Sequence, residues 1–321
     1  MDVYSLLKNT NAYKIFQADK ARGTLSHAYL ISCEDEGLLG NALSIFAKAL
    51  TCEEKEPCGI CRTCKLVEAK THTDVIYYPK SGSKIVVSDV DEIIEKSYYK
   101  PLELPVKAFV LVDVSKMTVQ AQNKLLKTLE EPPENTFIIM GTTSVYPLLS
   151  TVLSRVKRLD IPAFSDGELK SFLLSNGYES DKINKVLPFA NGRLSDALKK
   201  IELNESGEVL ALAKNALVNL KSSKQVAEFS AKITKEILKD FISALAKLTQ
   251  VAIKVSAGGK KAEVFSEIIE EIANSVSIGA LLFISDKIQV AEKAVFFNGN
   301  HQAVVDGILF GILEGKFKWS K

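Results

Sequence analysis

Short apolar runs punctuate the first half of the chain, and long stripes of apolar residues at three-to-four spacing fill its last third. Ala108–Val112 and Phe137–Met140 contain no polar residue, which is what strands covered on both faces of a parallel sheet require. Tyr29–Ile31, Val75–Tyr78 and Val156–Ile161 add three more strands. Helices are expected between them: over residues 2–22, ended by Gly23; over 38–50; and from a Ser88 cap, with Ile93, Ile94 and Tyr98 as the apolar face and Pro101 as the stop. A further helix carries Ala121, Leu125 and Leu129 at four-residue spacing, and Pro132-Pro133 removes two backbone donors and stops it. Thr142 and Thr143 follow a strand at its carboxyl end, where open α/β sheets place ligand-facing groups. Ser154-Arg155 precedes the last strand, which holds one arginine near the sheet edge. The layout is that of a nucleotide-handling α/β domain.

After Pro162 a small helical unit is expected, with Asp166 capping one helix and Pro188 breaking the next. From Glu205 amphipathic helices follow over 224–255, 262–274, 276–297 and 300–315, with a Gly-Gly-Lys-Lys turn at 258–261. The lysines around Trp319 read as a solvated tail. With 321 residues, 46% hydrophobic and 25% charged, the chain has room for two or three globular domains. A net charge of +2 does not argue for a nucleic-acid-coating surface, although a local basic face stays open. The amino terminus lacks a signal pattern and no apolar run spans a membrane, so a cytoplasmic protein is expected.

Four of the five cysteines fall within thirteen residues, as Cys52, Cys58, Cys61 and Cys64. Their C-x5-C-x2-C-x2-C spacing forms tight knuckles, with Gly59 permitting a turn, and four thiolates around one ion select zinc. Four protein ligands leave no open position, so the zinc is expected to be structural. His72 reads as a packing residue and Cys33 as an inert thiol, and no chemistry is assigned to His27 or His301.

The runs LLKTLEEPP (Leu125–Pro133), Thr142-Thr143 and TVLSR (Thr151–Arg155) resemble bacterial DNA polymerase III clamp-loader subunits of the AAA+ class, in that family's order and spacing. With the neighbouring stretches the resemblance covers most of residues 10–200. It implies a RecA-like AAA+ domain over 1–161 with a zinc-binding insertion at 52–64, a helical lid over 162–204 and an all-α collar over 205–321. The zinc site is similar to the family's, with a first spacing shorter than the usual eight residues. Asn298–Leu313 loosely resembles its last collar helix.

The departures from the ATPase pattern are specific. Aligned from Ser26–Ser32, the phosphate-loop glycines fall on Cys33, Glu36 and Leu38, the lysine on Leu39 and the hydroxyl on Gly40. Glu34, Asp35 and Glu36 sit where phosphates would lie, and a like-charge pair at ~4 Å costs about 4 kcal/mol near a surface. Val114 replaces the second acid of the magnesium-binding pair, and Ser195 stands where the lid arginine aligns. The loop at 33–41 is therefore expected to bind no ATP, and the chain to lack an ATPase of its own. Thr142 and Thr143 are left to satisfy backbone groups.

The family's arginine finger aligns with Arg155, supported by Ser154, and the cysteine usual at the next position is Val156, expected to be buried. The resemblance is closest to the delta-prime subunit. It implies gamma/tau ATPase subunits, the delta subunit, the beta sliding clamp and primed DNA as partners, with no membrane. The alternatives are a gamma/tau-type ATPase with an unusual loop and a zinc-dependent DNA-binding module.

Overall fold

A computed structural model describes residues 3–203, 206–259, 266–297 and 299–319. Lys260, Lys261, Asn298 and Lys321, part of the expected turn, last helix and tail, lie outside them. The chain divides into two compact units, Met1–Glu168 with Arg193–Ser195, and Leu169–Gly192 with Asp196–Lys321.

The first unit holds five parallel strands, β1 (Ala28–Cys33), β2 (Val75–Tyr78), β3 (Lys107–Leu111), β4 (Thr136–Thr142) and β5 (Lys157–Ile161), in the order β2-β3-β4-β1-β5. The uniformly apolar runs lie in the inner strands β3 and β4, where helices cover both faces, whereas the edge strand β5 alternates exposed and buried positions. The covering helices are α1 (Val3–Leu7), α2 (Asn11–Arg22), α3 (Glu36–Thr51), α4 (Arg62–Glu68), α5 (Val87–Ser97), α6 (Val119–Glu130) and α7 (Ser150–Leu153). Ala121, Leu125 and Leu129 of α6 are all buried, as their spacing required.

Several expectations need correction. The helix over 2–22 is two helices, because Thr10 takes an extended conformation and its hydroxyl accepts the Tyr13 N–H at 3.3 Å to start α2. Ser88 lies inside α5, whose start is fixed by the Asp89 carboxylate accepting the Val86 N–H at 3.0 Å. Tyr98 follows the end of α5 and is 69% exposed.

Buried polar side chains tie the sheet edge. Lys107, the first residue of β3, donates to the carbonyls of Lys96 (3.1 Å) and Tyr99 (2.6 Å) at the end of α5. Asp74, fully buried before β2, accepts the N–H groups of Leu102 (2.8 Å), Glu103 (2.7 Å) and Leu104 (3.0 Å). These donors outweigh the burial that would raise its carboxyl and hold it below the usual range. Glu103 in turn pairs with Arg62, the first residue of α4.

Beyond β5 come α8 (Asp166–Ser175), α9 (Ser180–Ala190), α10 (Leu194–Leu203), α11 (Ser206–Asn219), α12 (Ser223–Ser230), α13 (Leu238–Ser256), α14 (Ser266–Ser275), α15 (Ile278–Phe296) and α16 (His301–Lys318). The cap of α8 is Ser165 rather than Asp166, because the Ser165 hydroxyl accepts the Glu168 N–H while the Glu168 carboxylate accepts the Ser165 N–H. α9 continues past Pro188 and ends at Asn191, which takes a left-handed conformation. The expected helix over 224–255 is broken between α12 and α13. Leu217, Phe241, Leu248, Leu281, Ile308 and Ile312 are central to the core of the second unit. No single helix among the described residues is long and apolar enough to cross a membrane.

Among the described tail residues Phe317, Lys318 and Trp319 stay exposed, whereas Lys316 is half-buried. Trp319 lies against Phe283 with ring centroids 5.1 Å apart, and the Lys316 ammonium donates to the carbonyls of Leu217 (2.9 Å) and Val218 (2.8 Å) in the last turn of α11. Burial pushes Lys316 down to about 8. The unfolded chain, with an ordinary lysine value of about 10.4, therefore holds this proton longer than the native state as pH rises. Urea unfolding of wild type and Lys316→Met should show the stability difference moving in favour of the wild type between about pH 8 and about pH 10.4. A pH-independent difference would refute this.

Candidate functional site

β1 delivers the chain to α3, which begins at Glu36, two residues earlier than expected. Asp35 caps it: one carboxylate oxygen accepts the Leu38 N–H at 3.1 Å, and the residue is only 4% exposed. The same carboxylate accepts the Ser195 N–H at 3.0 Å and the Ser195 hydroxyl. Gly37 allows this approach, since a Cβ there would come within 2.5 Å of the Ser195 Cβ. The expected crowding of three acids is relieved because Glu36 turns outward to pair with Lys116 at 2.6 Å.

Asp113, directly beyond β3, has a left-handed backbone. Its carboxylate accepts the Thr143 N–H (3.2 Å), the Thr143 hydroxyl (3.3 Å) and the Ser115 hydroxyl (2.5 Å), and pairs with Lys116 at 3.0 Å. Burial alone would raise this carboxyl, but Ser115, Lys116 and Thr143 together hold it below the usual range. Glu36 and Asp113 raise the Lys116 ammonium. Thr142 donates to the Ser144 carbonyl at 2.6 Å, as a residue serving backbone groups should, whereas Thr143 serves Asp113. A cleft of about 390 Å³ opens beside these residues, lined by Glu36, Gly40, Ser44, Glu68, Asp113 and Lys116 among others. The Asp35–Ser195 and Lys116–Glu36 contacts are not legible in the sequence, because their partners lie 160 and 80 residues apart.

Arg155 follows α7. Its Nη1 donates to the Thr151 carbonyl (2.8 Å) and to Ser154 Oγ (3.2 Å), and its Nη2 pairs with Glu130, the last residue of α6, at 2.5 Å. Its side chain is one-third exposed. Val156 is half-buried against the sheet core rather than fully buried, since β5 starts one residue later than expected.

Cys52 closes α3 and Cys61 caps α4, so two helix ends bring the cysteines together. The four Sγ atoms lie within 4.8 Å of one another and could hold a metal ion. Cys52 and Cys58 are 3.8 Å apart. Sulfurs about 2.3 Å from a central ion at tetrahedral angles are separated by about 3.8 Å, so this donor set fits zinc. Cys58 Sγ accepts the Cys61 N–H (3.4 Å) and Cys61 Sγ the Cys64 N–H (3.3 Å), around Gly59 at φ +70°. The Cys61 N–H lowers the Cys58 thiol to about 7, whereas burial pushes Cys64 up to about 12. His72 is buried, with Nδ1 accepting the Asp74 N–H at 3.1 Å. Burial raises the Cys33 thiol to about 11.

Residues 8–165 match the family described as DNA polymerase III, delta subunit. The tau subunit of DNA polymerase III from Bacillus subtilis (strain 168) is 30% identical over 204 residues, covering 60% of this chain and 36% of that protein. The delta' subunit from the same organism is 30% identical over 187 residues, covering 57% and 55%. The chain is a relative of bacterial DNA polymerase III clamp-loader subunits. This clamp-loader relative spans less than two thirds of the length of the curated proteins it matches first. A gamma subunit-related protein from Thermotoga maritima, of known structure, aligns with a TM-score of 0.42 and 21% identity, over 94% of this chain and 99% of that one.

Proposed function

We propose that this clamp-loader relative is a non-hydrolysing, delta-prime-like subunit of the DNA polymerase III holoenzyme. The observation that carries the reading is Asp35, whose carboxylate takes up the first turn of α3 where a phosphate-binding loop would present free N–H groups. Leu39, Val114 and Ser195 support it, since each replaces a group that nucleotide binding or hydrolysis needs. In this reading the chain is a RecA-like AAA+ domain (1–161) with a structural zinc knuckle (52–64), a lid (162–204) and an oligomerising collar (205–321). Arg155, steadied by Ser154, serves the ATP site of a neighbouring gamma/tau subunit. Its partners are those ATPase subunits, the delta subunit and the beta clamp, with primed DNA reached through the assembly. When bound, zinc would be held by Cys52, Cys58, Cys61 and Cys64 as a folding element without an open coordination position.

The tau relative, as similar in identity as the delta' relative, keeps a gamma/tau-type ATPase as the second reading. Titrating the full chain with a fluorescent ATP analogue and magnesium separates the two. Absence of saturation up to millimolar ligand is the expected result, and micromolar binding would reverse the order of the readings.

A further inference from the structure

A phosphate bound at the start of α3 would bring negative charge to its free N–H groups, and a metal ion beside β3 would bring positive charge to Asp113. Both charges are present without a ligand. The Asp35 carboxylate lies at the first turn of α3 and accepts from Leu38 and Ser195. The Lys116 ammonium lies between Glu36 at 2.6 Å and Asp113 at 3.0 Å. Left alone, a buried carboxylate such as Asp113 would be costly, and Lys116, Ser115 and Thr143 offset that cost.

We propose that Asp35 and Lys116 act as built-in replacements for the charges of a nucleotide and its metal ion, Lys116 beside Asp113 and Asp35 at the first turn of α3, where it keeps Ser195 near the start of α10 docked without any ligand. This deepens the non-hydrolysing reading and rests on it. Two further observations support the proposal. Gly37 and Ser195 approach so closely that a single added methyl group would collide, which leaves no room between them for a phosphate. Thr143 directs both its N–H and its hydroxyl to Asp113. A ligand-bound relative gains stability that depends on the free ligand concentration L, as RT ln(1 + L/Kd), whereas a covalently attached charge acts at all ligand concentrations.

Amide hydrogen exchange on the full chain tests this. In the wild type, amides at 37–39 and 195–197 should be protected without nucleotide and unchanged by millimolar magnesium-ATP. Asp35→Ala should speed exchange in both segments by about tenfold, corresponding to roughly 1.4 kcal/mol, and leave β3 and β4 unaffected. Unchanged exchange at 195–197 in that variant would overturn the proposal. If Asp35→Ala exchanges faster everywhere, Ser195→Ala decides: faster exchange at 37–39 supports the docking, and no change there overturns it. ATP binding by the wild type would defeat the non-hydrolysing reading as well. A wild type that binds no ATP but is unprotected at 195–197 would defeat this inference alone.

Discussion

Replacing Arg155 by alanine is expected, on the proposed reading, to slow hydrolysis about 10³-fold at a neighbouring subunit's ATP site in an assembled clamp loader. A guanidinium placed against the transferring phosphoryl group stabilises charge that develops only in the transition state, so the loss should fall on kcat with little change in KM. The total rate would drop by that site's share, or further if the sites fire together. The isolated chain should hardly notice the change. Arg155 makes one partly exposed ion pair with Glu130, a type of contact worth about 0–1 kcal/mol, and two hydrogen bonds within its own turn. Lysine should not restore the rate, because Arg155 already divides its planar donors between Thr151, Ser154 and Glu130 and a point charge cannot do so. The check is steady-state ATPase and clamp-loading rates of reconstituted complexes with each variant. Equal rates for wild type and Arg155→Ala would remove the finger assignment and leave the fold untouched.

Loss of an ion held by the four cysteines should have the largest effect on local folding. Residues 53–61 form neither helix nor strand, and Ile60 is 77% exposed, so this loop has little apolar burial to hold it. Metal binding in such small modules supplies on the order of 10 kcal/mol. Cys61→Ser is expected to abolish stoichiometric zinc and to make the loop sensitive to protease, because that cysteine both caps α4 and contributes a thiolate. Elemental analysis of the purified chain and limited proteolysis with and without chelator check both parts. Chelator-treated protein with an intact, protease-resistant loop would show that the cluster folds without an ion.

Features that depend on near neighbours were legible in the sequence. The apolar runs of β3 and β4, the three buried residues of α6 and the stop at Pro132-Pro133 all lie where local pattern puts them. So do the four cysteines, because knuckle spacing brings thiolates together by short turns. Features set by distant partners were not legible. Lys107 looks like a surface residue until the carbonyls of Lys96 and Tyr99 surround it, and the tail lysine at 316 looks solvated until α11 ends beside it. Pro188 looks like a breaker, yet α9 continues past it for two residues. At the candidate site the missing phosphate-loop lysine could be read directly. The contacts of Asp35 with Ser195 and of Lys116 with Glu36 could not, since those partners are 160 and 80 residues away along the chain.

The anchorage of residues 102–104 bears on how damage would spread. One side-chain link from the cysteine cluster to the segment before β3 is the Arg62–Glu103 pair, an exposed contact that a small rotation can break. Immediately behind it, three N–H groups converge on the buried carboxylate of Asp74, a mounting that resists displacement in every direction. Because Cys52 closes α3 and Glu68 of α4 lines the cleft, oxidation of the thiols or loss of an ion held by them would reach the cleft wall, while Arg155 keeps its hold on Glu130 of α6.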